Sequence, residues 1–400
     1  MYNLGQTLYK IDSKGKVREW EIDVIDHSTH ASVVTTAGLQ NGKKVQTVID
    51  IYEGKNLGKA NATTYYTQAV SEALASAELK LRGEYRTDIN NVEQQVLRSG
   101  IKAPLLAQKY HPTGEQKSSK TLEKIGILGK NVHVQPKLDG VRCLIKLSYL
   151  VKLAGSGTMY TRKGDIMPVQ IKPILDELMD WWLEISVSGD EVILDGELFS
   201  EEMTFNELNG HLKRKDNQDE SALSKIKFHL YDVMLEAPYD IRYDYIKGFA
   251  RNATHVELIP SYKITATDEN IREKLEEFLA DGHEGLMIRT LDKGYENKRS
   301  WQLVKYKVFD DAEYKVIDIE EDARGGIIGA FVMQLPAPTT DRDGKTIDSF
   351  RAGVSGMTQE ETAHILENKD QYIGKTATVE YFGLSEYGVP RFGKLKAFRD

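Results

Sequence analysis

The 400-residue chain has a single cysteine, Cys143, so it can form no intrachain disulfide and no zinc site built on several cysteines. That scarcity suits a reducing, intracellular setting, and a cytoplasmic protein is expected. No apolar run approaches the roughly 20 residues that cross a bilayer as a helix. Met1-Tyr2-Asn3-Leu4-Gly5 also lacks the basic-then-apolar order of a secretory leader, so no membrane partner is expected. Positive charge is short too: 53 Lys and Arg stand against 61 Asp and Glu, a formal net charge of −8. That excludes a uniformly basic coat for nucleic acid but not a confined basic patch. The deficit is uneven, since residues 309–400 alone contribute −6, much of it from the stretch between Asp310 and Asp322. There are no internal repeats and no low-complexity tracts, and the length suits about two to three domains.

What is present begins with short alternating or β-branched segments. Thr7-Leu8-Tyr9-Lys10-Ile11, Arg18-Glu19-Trp20-Glu21-Ile22 and Ala31-Ser32-Val33-Val34-Thr35 read as strands. Turn chemistry at Asp12-Ser13-Lys14-Gly15 and Gln40-Asn41-Gly42 separates them. A helix is expected from Thr64 to about Leu81, capped by Thr63 or Thr64 and ended by Gly83. The middle of the chain mixes strands with helical stretches at Pro173–Glu184 and Glu269–Leu279, an α+β pattern. After Lys307 strands return at Tyr314–Ile319, Ile328–Leu335 and Thr376–Tyr381, with a short helix near Glu360–Leu366. About 90 strand-rich residues with one helix suit a small barrel such as an OB-fold.

The densest chemistry is Lys137-Leu138-Asp139-Gly140-Val141-Arg142, after the strand-like His133-Val134-Gln135-Pro136. A lysine amine is a nucleophile only when held deprotonated beside an electrophile. Asp139 and Arg142, around a glycine that permits close backbone approach, could fix that geometry at a nucleotide. Five segments follow in order: Tyr160-Thr161-Arg162-Lys163-Gly164, Leu194-Asp195-Gly196-Glu197-Leu198, Phe228-His229-Leu230-Tyr231-Asp232, Glu284-Gly285-Leu286-Met287-Ile288-Arg289 and Leu303-Val304-Lys305-Tyr306-Lys307. Each alone reads as a strand or turn with solvated charges. Together they supply a nucleophile, cations for phosphates, acids for a divalent metal or ribose, and an aromatic to stack on a base.

That order, KLDGVR, TRKG, DGE, YD, EGLMIR and LVKYK, resembles the covalent nucleotidyltransferase superfamily of polynucleotide ligases and capping enzymes. Within it, residues 101–400 resemble an ATP-dependent DNA ligase of the short bacteriophage or viral kind. The resemblance implies a multidomain α+β chain. Residues 1–95 would be a small β-rich accessory domain, 96–308 a mixed α/β adenylation domain with antiparallel sheets, and 309–400 an OB-fold barrel. It implies ATP as AMP donor, Mg²⁺ or Mn²⁺, nicked duplex DNA as partner, and a monomer serving DNA replication, repair or recombination. Lys137 would take AMP from ATP, with Asp139 and Arg399 as further catalytic residues. Gln135 would read the adenine amino group through its amide oxygen. Arg142 would hold the ribose, Arg162 the nucleotide or the nick 5′-phosphate, and Tyr231 the adenine ring. Glu197 would hold ribose or metal, Glu284 would bind metal, and Lys305 and Lys307 would neutralise phosphate charge.

The first domain resembles a WGR-like module without the Trp-Gly-Arg triplet; Thr36-Ala37-Gly38 stands at the glycine-bearing strand. Its candidate DNA contacts are Lys43, Lys44, Lys55 and Lys59, the alternative being a solvated face. RNA ligase, capping guanylyltransferase and a silent DNA-end-binding protein stay open as alternatives. An NAD-dependent ligase is disfavoured, because one cysteine cannot build the zinc module usual there.

Overall fold

The computed structural model describes residues 3–12, 15–82, 85–91, 100–111, 121–149, 156–187, 190–322 and 326–399. They divide into two compact units, Met1–Lys307 and Val308–Asp400.

The first unit opens with a four-stranded antiparallel sheet in sequential order: Leu8–Ile11, Val17–Asp26, Ala31–Leu39 and Lys44–Ile51. Period-two alternation buries Trp20 and Ile22 and leaves their polar neighbours on the other face. The helix Tyr65–Arg82 covers the buried face. Ala69, Ala73 and Ala77, four residues apart, let it sit close on Leu8, Trp20, Ile22 and Val33. Thr64 caps it, its Oγ1 accepting from the Thr67 N–H at 3.2 Å. The expected stop at Gly83 lies outside the described residues.

Two five-stranded, mainly antiparallel sheets follow. One runs in the order Val256–Leu258, Lys227–Val233, Glu191–Phe199, Val141–Ser148, Ser156–Thr161; the other in the order Tyr262–Thr265, Asn131–Lys137, Gly285–Arg289, Arg299–Tyr306, Leu106–Lys109. Helices cover one face of each. Lys172–Ile185 and Tyr239–Ile246 bury Ile174, Leu178, Trp182 and Ile246 against Ile145, Leu147, Leu194 and Leu230. Asp268–Ala280 buries Ile271, Leu275 and Phe278 against Val132, Val134, Leu286 and Val304. Alternation then points the odd-numbered residues of the second sheet the other way, so Gln135, Lys137, Met287, Arg289, Leu303 and Lys305 all line one cleft.

The second unit is a closed five-stranded barrel in the order Asp310–Glu321, Ile328–Thr340, Thr346–Val354, Lys394–Phe398, Thr376–Tyr381. Val316, Phe331, Met333, Ala352, Val379 and Leu395 fill it. The helix Gln359–Glu367 packs Ile365 onto that core and starts with a capping box between Thr358 and Glu361.

Candidate active site

Lys137 ends its strand, and the turn after it is forced against the neighbouring sheet. A Cβ on Gly140 would lie 2.5 Å from the Leu198 carbonyl oxygen and 2.7 Å from Glu197 Cγ, so only glycine lets the lysine loop rest there. The Glu284 N–H donates to the Lys137 carbonyl at 2.8 Å, which brings the start of the next strand alongside. The Glu284 carboxylate is buried and pairs with Nζ of both Lys137 and Lys307. Lys137 Nζ also lies 3.2 Å from the Leu138 carbonyl oxygen. Burial lowers the pKa of Lys137; the charges of Glu197 and Asp139 oppose that shift, and those of Arg142 and Arg162 add to it. The net is an amine more readily neutral than a free lysine.

Across the cleft, burial pushes the Glu197 carboxyl up to about 7, with Lys137 and Arg142 pulling it down and Asp195 and Asp139 adding to the rise. Arg142 forms a bidentate pair with Asp195 at 2.9 and 2.5 Å and donates to the Leu105 carbonyl at 2.8 Å. Tyr295 Oη donates to the same Asp195 at 2.6 Å. A β-bulge between Leu230 and Asp232 takes Tyr231 out of the ladder, and its ring lines the cleft. The Arg142 and Arg289 guanidinium carbons lie 5.9 and 5.3 Å from its centroid. The cavity measures about 150 Å³, and Arg162, Arg299 and Lys305 line it as well. Burial and the charges of Lys137, Arg162, Arg299 and Lys109 lower the pKa of Lys305, which marks a cluster of cations.

The fold therefore brings Gln135, Lys137, Arg142, Arg162, Glu197, Tyr231 and Lys305 to one cavity, with Glu284 and Lys307 tied to Lys137 beside it. Asp139 acts on Lys137 through its charge. Several of the other expected residues already have partners of their own. The amide oxygen of Gln135, expected to receive the adenine amino group, already accepts from Arg289 Nε at 2.6 Å. Lys44, expected to face DNA, pairs with Glu19 and donates to the Leu39 carbonyl at 2.7 Å, closing its own hairpin. Lys43, Lys55 and Lys59 are all exposed, and Lys55 pairs with Glu72 at 2.8 Å. In the barrel unit, Arg399 Nε pairs with Glu313 at 3.1 Å, and its N–H donates to the Thr376 carbonyl at 2.7 Å.

Among the described residues, no group of three His, Cys, Asp or Glu side chains could hold a metal alone. Mg²⁺ is commonly held by one or two carboxylates together with substrate phosphates. Glu197 and Glu284, both acting on Lys137, supply that donor set. Sequence reasoning missed Arg289 and Arg299 in the cleft wall and the buried groups behind it, namely Asp195, Asp232 and Arg242. Several lie inside the quoted motifs, yet only their long-range partners reveal them.

Known proteins share this architecture. Residues 104–307 match the family described as ATP dependent DNA ligase domain. The chain is 25% identical over 383 residues to the DNA ligase of African swine fever virus, covering 92% of this chain and 84% of that protein. A shorter stretch is 25% identical over 146 residues to the DNA ligase of Enterobacteria phage T4, covering 36% of this chain and 30% of that protein. Among solved structures, Pmar-Lig aligns with a TM-score of 0.61 at 21% identity, over 84% of this chain and 75% of that one. A Lig E DNA ligase aligns with a TM-score of 0.54 at 20% identity, over 75% of this chain and 100% of that one. At such identities the structures speak for the fold. The family match spans just over half of the chain, which belongs to the ATP-dependent DNA ligases.

Proposed function

We propose that this ligase seals nicks in duplex DNA through three displacements at phosphorus centred on Lys137. In the first, Lys137 Nζ attacks the α-phosphate of ATP, the bond from that phosphorus to the bridging oxygen breaks, pyrophosphate leaves, and the amine gives up a proton. In the second, a 5′-phosphate oxygen at the nick attacks the same phosphorus, and the P–N bond breaks back to the lysine. In the third, the 3′-hydroxyl attacks the adenylated 5′-phosphate, AMP leaves, and the strand closes. The carrying observation is a half-buried lysine of lowered pKa beside an arginine- and lysine-rich cavity with an aromatic wall.

Each step asks for positioning and charge neutralisation rather than covalent skill from other residues. Arg142, fixed by Asp195, is placed to hold ribose; Tyr231 offers its ring to adenine; Arg162 and Lys305 face phosphates. Glu284 holds Lys137 before reaction and is placed to accept the proton that the amine gives up. Glu197 and Glu284 would hold Mg²⁺ or Mn²⁺, which supplies further charge neutralisation at phosphate. Five closed strands with one helix support an OB-fold reading of residues 309–400, with Arg399 orienting the pyrophosphate. The four-stranded sheet under one helix supports a WGR-like reading of the first domain, with Lys43 and Lys59 as its remaining DNA contacts. A single buried thiol, its pKa raised by burial, suits a cytoplasmic monomer.

The test offers the protein ATP, Mg²⁺ and matched nicked duplexes of DNA and of RNA. Sealing of the DNA nick is expected. Sealing of RNA alone would move the substrate to RNA.

A further inference from the structure

Gln135 and Lys137 lie two residues apart on one strand and so share the cleft face. The Gln135 side chain is buried, with 1% of the residue exposed, and its amide is not free to turn. Arg289 Nε lies 2.6 Å from Oε1. A guanidinium carries only donors, so the amide end that meets it must be the oxygen; the reverse orientation would set N–H against N–H. At the other end, Nε2 reaches the Ile259 carbonyl only at 3.5 Å, a long bond that engages one of its two hydrogens.

Arg289 is itself clamped. Its Nη1 lies 2.5 Å from Asp232 Oδ2, and Arg242 Nε holds the other Asp232 oxygen at 2.7 Å. Arg242 in turn donates to the Ala237 carbonyl at 2.6 Å. Tyr239 packs its ring 4.7 Å from the Arg289 guanidinium carbon. Asp232, Arg242 and Arg289 are 0%, 2% and 3% exposed, so this chain of ion pairs cannot relax into water.

We propose that Arg289 is a positioning residue for base selection: it turns the Gln135 amide so that an N–H, and not the oxygen, is presented to the nucleotide base. The inference rests on the reading of Gln135 as base-facing. A donor there favours a purine with an unprotonated ring nitrogen on its Watson–Crick edge. Adenine has that acceptor at N1, whereas guanine carries a proton there. The 6-amino group of adenine is then not what Gln135 reads.

The test measures covalent labelling of the protein with three triphosphates: ATP, 1-deazaadenosine triphosphate, which keeps the amino group but loses the ring acceptor, and purine riboside triphosphate, which does the reverse. In the wild type KM rises roughly 10-fold for the 1-deaza compound and stays within about 3-fold of ATP for the purine riboside compound. Gln135→Glu pairs with Arg289 but offers no donor, and reverses that order. Arg289→Lys keeps a charge opposite Asp232 but cannot span both Asp232 and Gln135, so the ratio between the two analogues falls toward one while kcat with ATP changes less than KM. Thermal melting checks that each variant folds; if Arg289→Lys does not, the order in Gln135→Glu decides. A wild type that rejects the purine riboside compound more than the 1-deaza compound overturns the inference and leaves Gln135 base-facing. A folded Arg289→Lys with the wild-type ratio removes Arg289 from the role. Equal use of all three triphosphates by wild type and Gln135→Glu overturns the inference together with the base-facing reading beneath it.

Discussion

The N-terminal sheet and the cleft use lysine in opposite ways. In the sheet Lys44 has Glu19, and just beyond it Lys55 has Glu72 of the covering helix, one cation to one carboxylate, near the surface. Such pairs contribute about 0–1 kcal/mol and leave little field behind them. In the cleft, Lys137 and Lys307 share the single buried carboxylate of Glu284, and Arg162, Arg299 and Lys305 gather nearby. Crowded, partly desolvated cations are costly in the free protein and become favourable when phosphates arrive. The difference teaches that lysine placement, not lysine number, marks the phosphate site. A chain of net charge −8 can still focus positive charge at one cleft.

The comparison breaks most completely at Lys137. Lys137→Ala should reduce the covalent AMP label to background, because it removes the attacking amine while leaving Lys305 and Lys307 in place; a full label in that variant would refute the role. Glu284→Ala should come next, since it leaves two lysines crowded around a buried space without their counter-ion. Unfolding in denaturant should show a loss of about 3 kcal/mol, and self-adenylation should fall roughly 100-fold. Wild-type behaviour on both counts would mean that Glu284 is incidental.

Glu197→Gln sharpens the picture through pH. The folded carboxyl titrates at about 7, against about 4.3 when unfolded. Between those values the folded protein holds a proton that the unfolded chain has lost, so wild-type stability declines as pH rises through that window. The amide variant should gain on the wild type by about 3 kcal/mol at pH 8 and be nearly level with it at pH 4.5. An advantage independent of pH would contradict the raised pKa. The smallest effect belongs to the first domain. Reversing Lys43 and Lys59 to Glu should weaken nick binding a few-fold and flatten its salt slope by about 2, while Lys44→Ala and Lys55→Ala should act on stability by about 1 kcal/mol or less. Fluorescence anisotropy at two salt concentrations separates these, and an unchanged slope in the double reversal would leave those lysines as a solvated face.

Much of this was legible where the signal is local. The helix expected over Pro173–Glu184 spans Lys172–Ile185, and the one over Glu269–Leu279 spans Asp268–Ala280, because an apolar period runs through each, with a proline in the first turn of one and the Thr267 cap just before the other. The lysine turn was legible because a nucleophile, a glycine and two charged residues stand within six positions. The support behind the cleft was not. Arg142 meets Asp195 across 53 residues, Arg289 meets Asp232 across 57 and Gln135 across 154, and no local pattern announces such partners. For that reason the Arg289 guanidinium that holds the Gln135 oxygen was not visible in the sequence. The bulge at Tyr231 was hidden in the same way, since it is a property of two strands in register rather than of one segment.

The most direct measurement is to incubate the protein with Mg²⁺ and α-labelled ATP, map the labelled residue by mass spectrometry, and then add nicked duplex DNA. The account predicts AMP on Lys137 and its loss as the nick closes. A label on another residue, or one on Lys137 that nicked DNA does not discharge, would contradict it.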